Sequence, residues 1–192
     1  MSWIDATPHL PPPWHVRVLL GALAWRGRLS QSVRLWARAP RPFLAFLRLY
    51  RAVDRRASPL EPSLRSLVMV RVSQVNGCAF CVDLNGSRAL ERGLSEAHLD
   101  ALADHAGSPL FGAREKAALA YADAVTTTGA SVTPALRQAL RAAFTDDAIV
   151  ELAALIAFQN MSSKFNAALD VPAEGRCRAP AKAAVPGPDD GA

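Results

Sequence analysis

The stretch from residue 63 to residue 94 constrains this chain most, because it specifies a helix, a sharp break and a second helix of defined length. Leu64, Leu67, Val68, Val72 and Val75 recur at helical spacing, so 63–75 reads as a helix with one buried face. Asn76-Gly77 ends it, and a second helix begins at or near Cys78. Gly93 suits the left-handed C′ position that terminates this second helix, with Leu94 folding back over its last turn. The break brings Cys78 and Cys81, spaced as Cys-Ala-Phe-Cys, into the first turn of the second helix. There the unpaired N–H groups and the positive end of the macrodipole favour a thiolate over a thiol. A thiolate is the form that attacks peroxides and disulfides, so the pair reads as a redox dithiol.

Other readings of two cysteines at this spacing are weaker. A structural zinc site takes four ligands, commonly from two Cys or His pairs. The only further cysteine is Cys177, in a polar tail, and no His pair has ligand spacing. A haem attachment motif needs His directly after the second Cys, and Val82 stands there. No metal and no cofactor are therefore expected. Buried cysteines also serve as small hydrophobes, which leaves a structural role open.

With 51% hydrophobic residues in 192, the chain can bury one substantial core. Three cysteines are too few for a secreted disulfide scaffold, so a reducing cytoplasm is the expected setting. The opening MSWIDATPHLPPPW carries an acid and prolines where a signal peptide wants basic and then apolar residues. The apolar stretches around 18–25 and 152–158 are too short to span a bilayer. Residues 1–56 hold ten Arg against Asp5 and Asp54, whereas the remainder is net acidic. These arginines are interleaved with Leu, Trp and Phe at helical intervals rather than clustered. They read as the solvated face of amphipathic helices that also meets the acidic body of a neighbouring subunit, not as a nucleic-acid or membrane site.

Residues 1–13 read as an extended Pro-rich arm and 14–56 as a helical segment in three pieces, the last separated by Ala39-Pro40-Arg41-Pro42. Residues 57–171 form the core. After Gly93, Ser95 is an N-cap candidate, 113–127 is an alanine-rich helix, and Thr133-Pro134 is a start signal. Thr145 caps the last long helix, whose apolar stripe runs from Ile149 to Ala157 and on to Asn160. Residues 172–192 read as a disordered tail. No strand pattern is present, so the expected fold is all-α: a multi-helix bundle whose wide apolar stripes favour a homo-oligomer.

The run LVMVRVSQVNGCAFCVDLNGSRALERGLSEAHLDAL resembles the core motif of the carboxymuconolactone decarboxylase family, on its alkylhydroperoxidase D-like (AhpD-like) side. The runs FGAREKAALAYADAVT and IVELAALIAFQNMSSKFNAALDVP resemble the family's remaining helices, so the likeness covers roughly 60–172. The resemblance implies an all-helical trimer or hexamer. It also implies an antioxidant relay in which a Glu and a His serve the second, peroxide-attacking Cys while the first resolves the sulfenic acid. Those two positions here are Ser66 and Asn85. An amide does not accept a thiol proton at neutral pH, although Asn85 lies one helical turn beyond Cys81 and on its face.

Arg88 lies on roughly the same face and is a further supporting candidate. His98, Glu61 and Glu151 lack geometric support, and Tyr50, Tyr121 and Asn160 read as core groups with a satisfied polar atom. The resulting expectation is a peroxidase or disulfide reductase of the peroxiredoxin type, acting through Cys78 and Cys81. A hydroperoxide or disulfide would be its substrate, and a dithiol protein or small thiol its reductant. The alternative is a non-catalytic or redox-sensing helical oligomer.

Overall fold

Two glycines with positive φ, Gly77 at 63° and Gly93 at 88°, set the ends of the two central helices. The structure, a computed structural model, describes residues 2–7 and 11–177. Helix α1 spans Trp14–Trp25, α2 Gln31–Ala37, α3 Pro40–Val53, α4 Pro62–Val75 and α5 Ala79–Glu91. Helix α6 spans Glu96–Ala101 and runs into a 3-10 turn, Leu102–Asp104. Helices α7 (Ala113–Thr126), α8 (Pro134–Ala143) and α9 (Asp146–Ala168) complete the chain. The fold is all-α, with no strand among the described residues.

Both glycine ends are Schellman motifs. Gly77 N–H bonds Gln74 O at 3.0 Å and Cys78 N–H bonds Ser73 O at 3.0 Å. At the far end Gly93 N–H meets Leu90 O and Leu94 N–H meets Ala89 O, as the sequence anticipated. A side chain other than glycine's would be strained at either position.

Helix α4 departs from the expected single buried face. It runs through the middle of the molecule against α5, α7 and α9, and is buried from Leu64 to Val70 and again from Val72 to Gln74. Arg65, Ser66 and Ser73 broke the apolar stripe in sequence but are buried with partners. Arg65 Nε donates to Asp54 Oδ1 at 2.9 Å, and Ser73 Oγ donates to Met69 O at 2.6 Å. Burial pushes the Asp54 carboxyl up, but the hydrogen bonds and charges of Arg92 and Arg65 outweigh it and hold that pKa below the ordinary carboxylate value.

The Ala39-Pro40-Arg41-Pro42 break separates α2 from α3 without interrupting the chain's helicity for long. Pro40 opens α3, because a first-turn proline lacks only an N–H that would have been unpaired. An aromatic column then fixes the N-terminal helices to α9. Trp36 of α2 stacks on Phe165 at 3.8 Å and on Phe46 of α3 at 4.6 Å. Phe46 in turn meets Phe158 at 5.2 Å. Such pairs contribute roughly 0.5–1.5 kcal/mol each beyond the area they bury.

Helix α9 does not stop at Asn160 but continues for two more turns, to Ala168. Its inward positions switch there from apolar residues to Gln159, Ser162, Ser163 and Asn166, so the stripe fades although burial does not. Beyond it, Asp83 of α5 holds the chain by accepting the N–H groups of Glu174 (2.8 Å) and Cys177 (2.6 Å). The expected disorder beyond 177 lies outside the described residues.

Candidate redox site

Cys78 serves both central helices. Its N–H closes the end of α4, and its Sγ caps α5 by accepting the Cys81 N–H at 3.2 Å. The sequence placed both cysteines in the first turn of the helix. Cys78 is in fact the N-cap, with extended backbone, and Cys81 is the third helical residue. Their Cα atoms are 5.3 Å apart and a disulfide joins them. Both are buried, Cys78 at 1% exposure and Cys81 at 3%.

The two sulfurs have different neighbours. Cys81 lines a cavity of about 290 Å³ between α2, α3, α5 and α9, whereas Cys78 does not line it. Asn166 Nδ2 donates to Cys81 Sγ at 3.4 Å. Asn166 is itself fixed, its Oδ1 accepting from Ser32 Oγ of α2 at 2.6 Å and its Nδ2 also reaching Ser162 O. Neither Asn166 nor Ser32 was found by reading the sequence. The signal was the polar periodicity Gln159, Ser162, Ser163, Asn166, which marks one face of a helix as buried and hydrogen-bonded.

Asn85 lines the cavity with Cys81 and donates to Ser73 Oγ at 3.3 Å, a hydroxyl that also accepts from Gln159 Nε2 at 2.9 Å. Ser66 is elsewhere. It accepts from Arg92 Nη1 at 3.0 Å, beside the Asp54 that binds Arg92 and Arg65. Arg88 lies on the cavity wall with its guanidinium 5.1 Å from the Tyr50 ring centroid. Tyr50 lines the cavity too and donates to Asp54 Oδ2 at 3.1 Å. Burial raises its pKa, the Arg88 charge works against that, and Asp54 adds to it, leaving the phenol above its ordinary value.

The remaining candidates are not gathered here. His98 bonds Ser95 at the start of α6. Glu61 pairs with Arg114, and Glu151 with Arg55 and Ser58. Asn160 ties the Asn76 turn to Thr126, Tyr121 packs on the main core, and Cys177 lies against the cluster containing Leu90 and Leu94. Among the described residues no three His, Cys, Asp or Glu side chains gather as a metal-ligand set. No helix among them is long and apolar enough to cross a membrane.

The sequence model of the carboxymuconolactone decarboxylase family matches residues 40–124, which include both cysteines. The uncharacterized protein YnjA of Escherichia coli is 41% identical over 178 residues, covering 90% of this chain and 98% of that protein. Among solved structures, ATU0492 of Agrobacterium tumefaciens, a protein of unknown function described as a candidate antioxidant defence protein AhpD, is 30% identical. It superposes with a TM-score of 0.66 over 70% of this chain and 91% of its own. An uncharacterized peroxidase-related protein from Silicibacter sp. TM1040 shares the fold at TM-score 0.76 and 22% identity, over 88% and 90% of the two chains. This chain belongs to the carboxymuconolactone decarboxylase family, and its all-helical fold matches the AhpD-like proteins among its structural neighbours.

Proposed function

We propose that this protein is a thiol-dependent antioxidant oxidoreductase that cycles Cys78 and Cys81 between dithiol and disulfide. A hydroperoxide is its oxidant and an external dithiol its reductant. The observation that carries this reading is the asymmetry of the pair: Cys81 lines a cavity and accepts an amide N–H, while Cys78 stands behind it within bonding reach. The likeness to the Agrobacterium protein supports the same chemistry.

In the reaction the Cys81 thiolate attacks the distal peroxide oxygen. An S–O bond forms, the O–O bond breaks, and the departing alkoxide takes a proton from water to become an alcohol. The Cys78 sulfur then attacks the sulfenic sulfur of Cys81. An S–S bond forms, and hydroxide leaves with the Cys78 proton as water. The external dithiol returns two electrons by thiol–disulfide exchange. With Asn85 and Ser66 in place of a basic relay, the thiolate rests on the α5 terminus and Asn166. A homo-oligomer in the cytoplasm is the proposed setting. The exposed Trp14, Val18 and Trp25 of α1 support association.

Dimedone trapping tests the assignment. Cys78→Ser treated with a hydroperoxide is expected to hold a labelled sulfenic acid at Cys81. Label on Cys78 in Cys81→Ser, with none on Cys81 in Cys78→Ser, refutes it. The absence of a base favours a second reading, a redox-sensing oligomer that forms the disulfide stoichiometrically without turning over. A single oxidation event per protomer, despite excess reductant, distinguishes it.

A further inference from the structure

The charge of the N-terminal segment acquires a location once the cavity beside Cys81 is traced. Arg28, Arg51 and Arg88 all line that cavity, and no Asp or Glu does. Elsewhere in the described chain the arginines that meet a carboxylate are Arg55, Arg65, Arg71, Arg92, Arg114 and Arg176. Among the described residues the three on the cavity wall have no such partner. The wall also carries apolar and aromatic groups, Trp36, Phe46 and Phe158 from three different helices and Leu23 from α1, while Asn85 and Asn166 are among the polar groups that line it with Cys81. A volume of about 290 Å³ lies at the low end of the ~300–1,000 Å³ typical of small-molecule pockets. Water and hydrogen peroxide need neither such walls nor such charges. An apolar body would remove the aromatic faces from water, and an anionic head would meet guanidinium groups that present paired donors.

We propose that this cavity binds a small organic molecule with an apolar body and an anionic head group, a carboxylate or phosphate, and that Cys81 acts on substrates of this class. Arg88 and Arg51 hold the head group, while the aromatic column fixes the body against the sulfur. The assignment rests on the redox reading of Cys81 for the reaction but not for binding. The cavity is roofed in part by α1 and α2, which lie ahead of the residues matched by the family's sequence model.

Binding is tested without turnover, by titration calorimetry of the oxidised protein with octanoate, octyl phosphate and 1-octanol. At least one of the two anions is expected to bind roughly tenfold or more tightly than the alcohol, the worth of a charge-assisted hydrogen bond. Arg51→Met with Arg88→Met is expected to bring the anions down to the level of the alcohol and to leave the alcohol unchanged. In the reduced protein the tighter anion is expected to slow alkylation of Cys81 by N-ethylmaleimide. Equal binding of alcohol and anions, anion binding that survives the double substitution, or binding without protection of Cys81 overturns the proposal. If binding and protection hold while carboxylate-bearing hydroperoxides leave the dithiol reduced, the cavity assignment stands and the hydroperoxide reading fails.

Discussion

Asn166 offers the sharpest test of how Cys81 is activated. Its amide N–H is the side-chain donor on Cys81 Sγ, at 3.4 Å, and Ser32 holds the other end of the amide at 2.6 Å. A hydrogen bond to a charged group is worth about 1.5–3 kcal/mol. The N···S distance is long, which points to the lower figure. At 1.4 kcal/mol per factor of ten, Asn166→Leu is then expected to lower the thiolate population of Cys81 about tenfold near neutral pH. The assay is the rate of iodoacetamide alkylation of the reduced protein between pH 6 and 10, resolved by peptide mapping. The variant's profile at Cys81 should move to higher pH by about one unit, with the plateau rate at high pH preserved.

Ser32→Ala keeps the donor but removes its anchor, so it should give a smaller displacement in the same direction. Removing Asn166 also leaves the buried Ser32 hydroxyl without its acceptor, at a cost of about 1–3 kcal/mol. Chemical unfolding must therefore confirm that the variant is folded at the assay temperature. A folded Asn166→Leu protein whose Cys81 profile coincides with that of the unsubstituted protein would sink this account of the site.

Without a basic relay, peroxide consumption should be slow at pH 7 and climb toward the ordinary thiol range of ~8.5, measured by steady-state peroxide loss. Asn85→His should raise the neutral-pH rate by up to the ~10²–10⁴-fold of a positioned base. Ser73 and Gln159 stand ready to orient the new imidazole, whereas Ser66→Glu should add little because Arg92 occupies that position. Asp54→Leu leaves the buried Arg65 unpaired and should cost about 3–5 kcal/mol in urea unfolding. Because Asp54 titrates below its unfolded value, its contribution is present above the ordinary carboxylate pKa and is lost as pH falls through the folded one. The unsubstituted protein should therefore lose stability on acidification more steeply than Asp54→Leu. Leu152→Ala, at a fully buried position of α9, should destabilise by about 2–5 kcal/mol in the same assay.

The local determinants were legible in the chain itself. Asn76-Gly77 and Gly93 encode helix ends through backbone geometry that depends on nearest neighbours, and Thr133 and Thr145 cap α8 and α9 as expected. The Cys-x-x-Cys pair is also local, since three residues at a helix start bring two sulfurs together wherever the helix lies. What the tertiary structure decided is how the two sulfurs differ. Asn166 lies 85 residues from Cys81, and Ser32 lies 134 from Asn166. Neither pairing has a sequence period, because each depends on where α2 and α9 pack.

The same reason hid the depth of α4. Arg65, Ser66 and Ser73 look like solvent-facing positions until Asp54, Arg92, Asn85 and Gln159 arrive from other helices to bury them. Polar groups enter a core only when partners satisfy them, and partners distant in the chain are chosen by packing rather than by local sequence. The arginines of the N-terminal segment follow this rule from the other side. The sequence recorded their number, and the packing of α1, α2 and α3 over Cys81 decided that Arg28 and Arg51 would join Arg88 around one cavity.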